Sequence, residues 1–309
     1  MYGHSDFRII HFQYSDFNPS KLNNQQIHPM TPKVILVTGA SSGIGFQTAQ
    51  MLACQGNKVY AAARRTELMQ PLEQYGVTVI KLDVCDDASI SQCVKAISDA
   101  EGRIDVLVNN AGYGYFGAVE TVSIADARRQ FEVNLFGLAR LTQLVLPLMR
   151  KNGYGRIVNL SSIAGRMAMP FGAWYNATKY AVEGFSDALR IETRQFGIDV
   201  AMIEPGGIKT NWGIIAADHL AESSKGTVYE QNASHEAALM RKGYSMDFLT
   251  NPSEVAKKIV KAVNSRHPKT RYRVGRGSFL LVFLTRVMPY RWWDKICTFM
   301  WRHYKIVDK

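Results

Sequence analysis

Six runs of consecutive apolar residues recur along the chain: KVILVT (33–38), KVYAAA (58–63), VTVIKL (77–82), IDVLVNN (104–110), RIVNLS (156–161) and DVAMIEP (199–205). Unbroken Val/Ile/Leu runs, without alternating polar positions, belong to strands covered on both faces. The segments between them carry apolar residues at helical spacing. Strand and helix therefore alternate, which predicts a parallel sheet with helices on both sides. A shorter run, TRYRVG (270–275), predicts a last strand at one edge. Together these make one α/β domain with a doubly wound parallel sheet of about seven strands.

Two predicted helices are long, one from Ser123 to Gly153 and one from Ala173 to about Gly197. Residues 206–250 show no sustained period, and Trp212, Tyr229, Tyr244 and Phe248 are scattered through them. They are expected to form an irregular insertion that acts as a lid over the substrate. Residues 1–29, rich in Asn, Gln, His and Ser, read as a disordered or loosely attached extension. Met30 stands where the compact domain, 30–275, begins, and residues 276–309 form a tail.

At 309 residues and 47% apolar content the chain can bury a large core. Its four cysteines, at 54, 85, 93 and 297, form no CxxC pair and keep no ligand spacing with the seven histidines. No metal site and no disulfide framework is indicated, and a reducing, cytoplasmic setting is expected. The longest apolar run, FLLVFLTRVM from Phe279, is broken by Arg286 and stopped by Pro289. It falls short of the roughly 20 residues that span a bilayer.

The formal charge of +11 is not spread over the fold. Residues 266–309 hold eleven Lys/Arg against two Asp, a net +9, while residues 1–29 net to zero and the remaining 236 carry +2. The body is near neutral and no nucleic-acid module accompanies the tail, so nucleic acid is not an expected partner. In the tail Trp292, Trp293, Phe299 and Trp301 alternate with Arg286, Arg291, Lys295 and Arg302. One reading is an interfacial helix pair on an anionic leaflet. The other is an apolar cover over the substrate mouth or a partner subunit, with basic stems turned outward.

TGASSGIG, Thr38 to Gly45, follows the first strand and opens a helix, with glycines at 39, 43 and 45. A pyrophosphate needs a tight turn, close backbone approach and the positive end of a helix dipole. Thr38, Gly39, Ser41, Ser42, Gly43, Ile44 and Gly45 are the candidates for that cradle, as in a Rossmann-like nucleotide site. At the end of the second strand, where a carboxylate would grip a ribose hydroxyl, stands Ala63, followed by Arg64 and Arg65. Two guanidinium groups suit a 2′-phosphate, so NADP(H) is expected over NAD(H); the alternative is that they solvate a loop. Asp83 is placed either to accept from an adenine amino group or simply to form a turn.

These residues resemble the short-chain dehydrogenase/reductase family from about Lys33 to Thr210. The matching parts are TGASSGIG, NNAG (109–112), VNLFG (133–137), LSS (160–162), YNATK (175–179) and PGGIKT (205–210), in that order. The resemblance implies that Tyr175 is the general acid/base, Lys179 its activator, Ser162 the group that orients the substrate oxygen, and Asn134 the holder of a relay water. It also implies cofactor contacts from Asn110, Ala111, Gly112, Tyr175, Lys179, Pro205, Gly206, Ile208 and Thr210. Read alone, Asn134 is equally a core amide and Thr210 a loop residue.

Tyr175 and Lys179 lie one helical turn apart. Hydride transfer to a carbonyl leaves an alkoxide that must be protonated. A phenol has a reference pKa of about 10, and lowering it by about three units takes roughly 4 kcal/mol of preference for the phenolate. A neighbouring ammonium can supply this. Tyr113, Tyr115, Phe116, Met167, Met169, Phe171 and Trp212 are candidate pocket walls, and they suit a bulky hydrophobic alcohol/carbonyl pair, of steroid or retinoid type, better than a sugar or an acyl chain on a phosphorylated carrier. The long tail is similar to that of hydroxysteroid and retinol dehydrogenases, and the two long helices imply a homodimer or homotetramer. The alternative classes are a 3-oxoacyl-type reductase and a catalytically silent NADPH-binding sensor or scaffold; the silent class predicts a broken tetrad, whereas Asn134, Ser162, Tyr175 and Lys179 are all present.

Overall fold

The computed structural model describes residues 32–245 and 249–303. The N-terminal extension, Phe248, and the side chains of Tyr244, Trp301 and Arg302 lie outside the described residues. Seven strands form one parallel sheet: β1 (Val34–Thr38), β2 (Lys58–Ala63), β3 (Thr78–Lys81), β4 (Val106–Asn109), β5 (Gly155–Leu160), β6 (Ile198–Pro205) and β7 (Arg271–Val274). Their order is β3-β2-β1-β4-β5-β6-β7. The chain winds outward from β1 in one direction and from β4 in the other, which opens a crevice at the carboxyl ends of β1 and β4.

Both faces of the sheet are buried, which is why the strand runs are unbroken. Ile35, Val37, Val106, Val108 and Ile203 pack under α1 (Gly43–Ala53) and α8 (Pro252–Asn264). Their neighbours Val34, Leu36, Leu107, Ile157 and Val200 pack under α2 (Asp87–Glu101), α4 (Gly137–Lys151) and α5 (Ala173–Thr193).

The helix expected from Ser123 to Gly153 runs continuously from Ile124 to Lys151, as α3 (Ile124–Phe131), a π turn (Glu132–Phe136) and α4. One expectation is corrected. Residues 206–250 are not irregular, because they hold α6 (Trp212–Ser224) and α7 (Glu230–Ser245). These two helices meet through Ala216, Ala217, Leu220, Ala233 and Ala237, and with Phe116, Phe171 and Tyr175 they form a separate small core. Alanine contacts give close packing but a weak apolar period. The tail is a helix pair, α9 (Ser278–Val287) and α10 (Tyr290–His303). Among the described residues no helix is long and apolar enough to cross a membrane.

Candidate active site

The turns after β1 and β4 are locked together. The Thr38 hydroxyl donates to the Val108 carbonyl (3.3 Å) and accepts from the amides of Asn110 and Ala111 (3.1 Å each). The Asn110 side-chain amide donates to the carbonyls of Thr38 (2.9 Å) and Gly39 (3.1 Å). Gly39 has φ +64°, and a Cβ there would stand 2.7 Å from the Ala111 Cα. A Cβ on Gly45 would stand 2.5 Å from the Gly39 carbonyl oxygen. Only hydrogen fits at either position.

The first turn of α1 is left open. Its N-cap, Ser42, makes no side-chain cap bond and no acidic residue follows. By contrast α2 and α8 are capped by Asp86 and Asn251 and carry Asp87 and Glu254 in their first turns. An uncapped, acid-free helix start in a glycine turn fits a phosphate group. Thr210 closes this end, its methyl 3.4 Å from where a Cβ on Gly43 would lie. Ile208 bridges to Thr250, and the amide of Gly206 donates to the Val274 carbonyl (2.7 Å). The Ala40 amide donates to the Ala62 carbonyl (3.3 Å), so the loop lies against the end of β2, where Arg64 and Arg65 are exposed. Asp83 accepts from the Cys85 amide (3.0 Å) and shapes the turn after β3.

The second half of the site gathers at the ends of β4 and β5. Lys179 is buried on α5 and its ammonium donates to the Leu160 carbonyl (2.9 Å), two residues before Ser162. That ammonium lies 5.8 Å from the ring centroid of Tyr175. Burial pushes the Lys179 pKa down to about 8, and Glu183, one turn further on, opposes the shift. The π turn directs Asn134 inward, where it donates to the Tyr113 carbonyl (2.9 Å) and Thr178 hydroxyl (3.1 Å) and accepts from the Tyr113 amide (3.0 Å). A Cβ on Gly112 would stand 3.0 Å from the Asn134 Oδ1 and 3.8 Å from the Lys179 Nζ. Ser162 donates to the Pro205 carbonyl (3.3 Å) and accepts from the Ala164 amide (3.1 Å), which ties the end of β5 to the end of β6.

Aromatic side chains enclose Tyr175. Its ring centroid lies 5.0 Å from that of Trp212 and 5.5 Å from that of Phe116, and these two meet edge-on at 5.9 Å. Trp212 rests on Gly114, where any Cβ would collide with the indole. Tyr115 stacks on His219 of α6 at 4.6 Å. Phe171, in the loop before Tyr175, is the one non-glycine residue with positive φ (58°) among the described residues. Strain of that kind persists where surrounding packing enforces it.

Several supporting residues were not anticipated. Thr178 holds Asn134. Behind Lys179, the buried Glu183 and Glu204 meet Arg166, Arg271 and Arg273. Glu183 is signalled by its position four residues after Lys179; the arginines come from distant elements and leave no local sign.

Residues 33–218 match the family model described as short chain dehydrogenase. The chain belongs to that family, and is thereby an oxidoreductase. A probable short-chain type dehydrogenase/reductase, VdlC, of Helicobacter pylori is 40% identical over 84% of this chain and 95% of its own. The 3-ketodihydrosphingosine reductase of Bacteroides thetaiotaomicron is 44% identical over 59% of this chain and 66% of its own, and retinol dehydrogenase 8 of Bos taurus 34% identical over 84% and 86%. Among solved structures, a short-chain dehydrogenase from Streptomyces avermitilis matches with TM-score 0.72 and 34% identity, covering 87% of this chain and 98% of its own. A serine dehydrogenase complexed with NADP+ matches with TM-score 0.68 and 27% identity, covering 78% and 94%.

Proposed function

We propose that this chain is an NADP(H)-dependent oxidoreductase that interconverts a hydroxyl and a carbonyl on a hydrophobic substrate of steroid, retinoid or similar type. The observation that carries the reading is the setting of Tyr175, with the buried ammonium of Lys179 on one side and the rings of Phe116 and Trp212 on the other. The first side suits proton transfer and the second an apolar substrate. Thr38, Gly39 and Ser41–Gly45 would hold the cofactor phosphates, Arg64 and Arg65 its 2′-phosphate, and Asp83 its adenine. Asn110–Gly112, Lys179 and the loop Pro205, Gly206, Ile208 and Thr210 would hold the rest. When bound, the cofactor supplies a hydride to the carbonyl carbon or takes one from the alcohol.

The chain's own groups handle the oxygen. Ser162 donates to it where negative charge develops. Tyr175 delivers the proton in reduction and takes it in oxidation, while Lys179 favours the phenolate. Asn134 fixes the loop after β4 against α5 beside a relay water. Two of the relatives are named for lipophilic substrates, retinol and 3-ketodihydrosphingosine, and a structural neighbour carries NADP+, which supports both the substrate class and the cofactor. The protein is further read as a cytoplasmic homodimer or homotetramer with peripheral membrane contact through its tail.

Loss of reduced-nicotinamide absorbance tests the reaction, with NADPH and NADH against steroid ketones, retinal, small aldehydes and acyl-thioester ketones. Turnover should prefer NADPH and the lipophilic carbonyls. Tyr175→Phe should lower kcat by about 10²–10⁴-fold while cofactor binding persists. Arg64→Ala with Arg65→Ala should raise KM for NADPH far more than for NADH. Binding of NADPH without turnover of any carbonyl, or undiminished turnover in Tyr175→Phe, would overturn the reading.

A further inference from the structure

α9 inverts the pattern of a surface helix. Its ten residues, SFLLVFLTRV, hold a single charge, Arg286, and the side turned to the body presents the buried Ser278 and Val282. Phe279, Phe283 and Val287, at i, i+4 and i+8, face outward, and the first two are 72% and 51% exposed, with Leu280 exposed beside them. In water that side of a helix is polar, and a contiguous apolar patch marks a binding surface.

α10 extends the surface. Its Trp293 and Cys297, one turn apart, face the body: the Trp293 indole donates to the Ala168 carbonyl (3.4 Å), and Cys297 lies near Glu236 of α7. Trp292, 64% exposed, and Ile296 form the next stripe outward, and Arg291 and Lys295 the stripe beyond that. From Arg276 onward the sequence holds seven Lys/Arg against two Asp.

Outward apolar side chains, an interfacial tryptophan and a basic flank, on helices too short to cross, are the marks of a segment lying in a lipid interface. A second copy of the chain fits less well. A two-fold contact through this surface would bring the basic groups of both copies, Arg286, Arg291 and Lys295 from each, into one interface.

We propose that α9 and α10 seat the protein on an anionic bilayer, with Phe279, Leu280, Phe283 and Trp292 at the boundary between headgroups and acyl chains. Trp293 fastens α10 to Ala168, between the candidate wall residues Met167 and Met169. The anchor therefore lies against one wall of the candidate pocket. Resting on the lipophilic substrate proposed above, the substrate enters from the bilayer and not from water.

The full-length protein is sedimented with vesicles of phosphatidylcholine alone and of phosphatidylcholine mixed with phosphatidylglycerol, at low and high salt. It should pellet with the anionic vesicles, and salt should release it. Arg291→Glu with Lys295→Glu should lower partitioning about tenfold or more, and Phe279→Glu with Phe283→Glu at least as much. These side chains are exposed, so an unchanged circular-dichroism melt shows that the fold survives. Wild-type protein left in the supernatant with anionic vesicles at low salt would overturn the proposal. So would a solution dimer that Phe279→Glu/Phe283→Glu dissociates without any vesicle binding. NADPH turnover of a water-soluble aldehyde, without vesicles, is read in parallel: its failure would count against the proposed reaction and leave the sedimentation result to decide the anchor.

Discussion

Lys179 meets two opposed demands. In the proposed reaction it must be charged to favour the phenolate of Tyr175, yet it is buried, and burial brings its pKa down to about 8 from 10.5. Below about pH 8 the folded protein bears the cost of that buried charge; between 8 and 10.5 the cost is relieved, since the unfolded chain keeps the proton longer. Glu183 opposes the shift, and its own acid is pushed up by burial. Glu183→Gln removes the anion that holds the Lys179 proton, so the lysine pKa falls further. The alkaline limb of kcat/KM, which reports the free enzyme, should then move below about pH 8, with activity lost earlier as pH rises. A pH–rate profile of wild type and variant reads this, and an unmoved limb would remove Glu183 from the proton chemistry. The shared helix face of Tyr175 and Lys179 could be read from their four-residue spacing, whereas Ser162 and Asn134 were expected only through the family resemblance, since 13 and 41 residues separate them from Tyr175. Glu183 is signalled by its place one turn after Lys179, but its partners Arg166 and Arg271 come from distant elements and leave no local sign.

At the scale of elements, the edge of the sheet is held by charge as well as by its ladder. Glu204 of β6 sits opposite Arg273 of β7, fully buried, and meets Arg273 (2.7 Å), Arg166 (3.1 Å) and Arg271 (3.2 Å). Removing one partner of a buried pair leaves the others uncompensated, at about 3–5 kcal/mol. The arginines here are partly exposed and water can reach them, so Glu204→Leu should cost toward the lower end, about 3 kcal/mol. Urea titration should show a lower midpoint with an unchanged slope. An unchanged midpoint would mean that β7 is held by its ladder and apolar contacts alone. The strands themselves were legible, each continuous run falling within a residue or two of its observed span. The π turn was not, since widening one turn around Asn134 leaves no mark on the apolar period. Neither were α6 and α7, whose contacts are made mostly by alanines.

For the whole molecule the remaining question is what covers the long helices. The described chain exposes Ile191 (71%) on α5 and Phe136 (53%) in the π turn, and Ile124, Phe131, Phe136 and Trp174 line a shallow groove between α3 and α5. Members of the family commonly oligomerise, and these are the apolar groups that a two-fold contact would bury. Burying such a side chain contributes about 1.5–3 kcal/mol, and a two-fold interface counts each residue twice. Even one substitution to aspartate should therefore raise the dissociation constant on the order of 10²-fold. Sedimentation velocity should show wild-type protein as a dimer or tetramer and Ile191→Asp/Phe136→Asp as a monomer. The tail variant Phe279→Glu/Phe283→Glu should keep the oligomer and lose only the vesicle. If instead the tail variant gives monomers and the helix variant does not, the two surfaces exchange roles: α9 joins subunits, and the helices around the π turn are left to another partner.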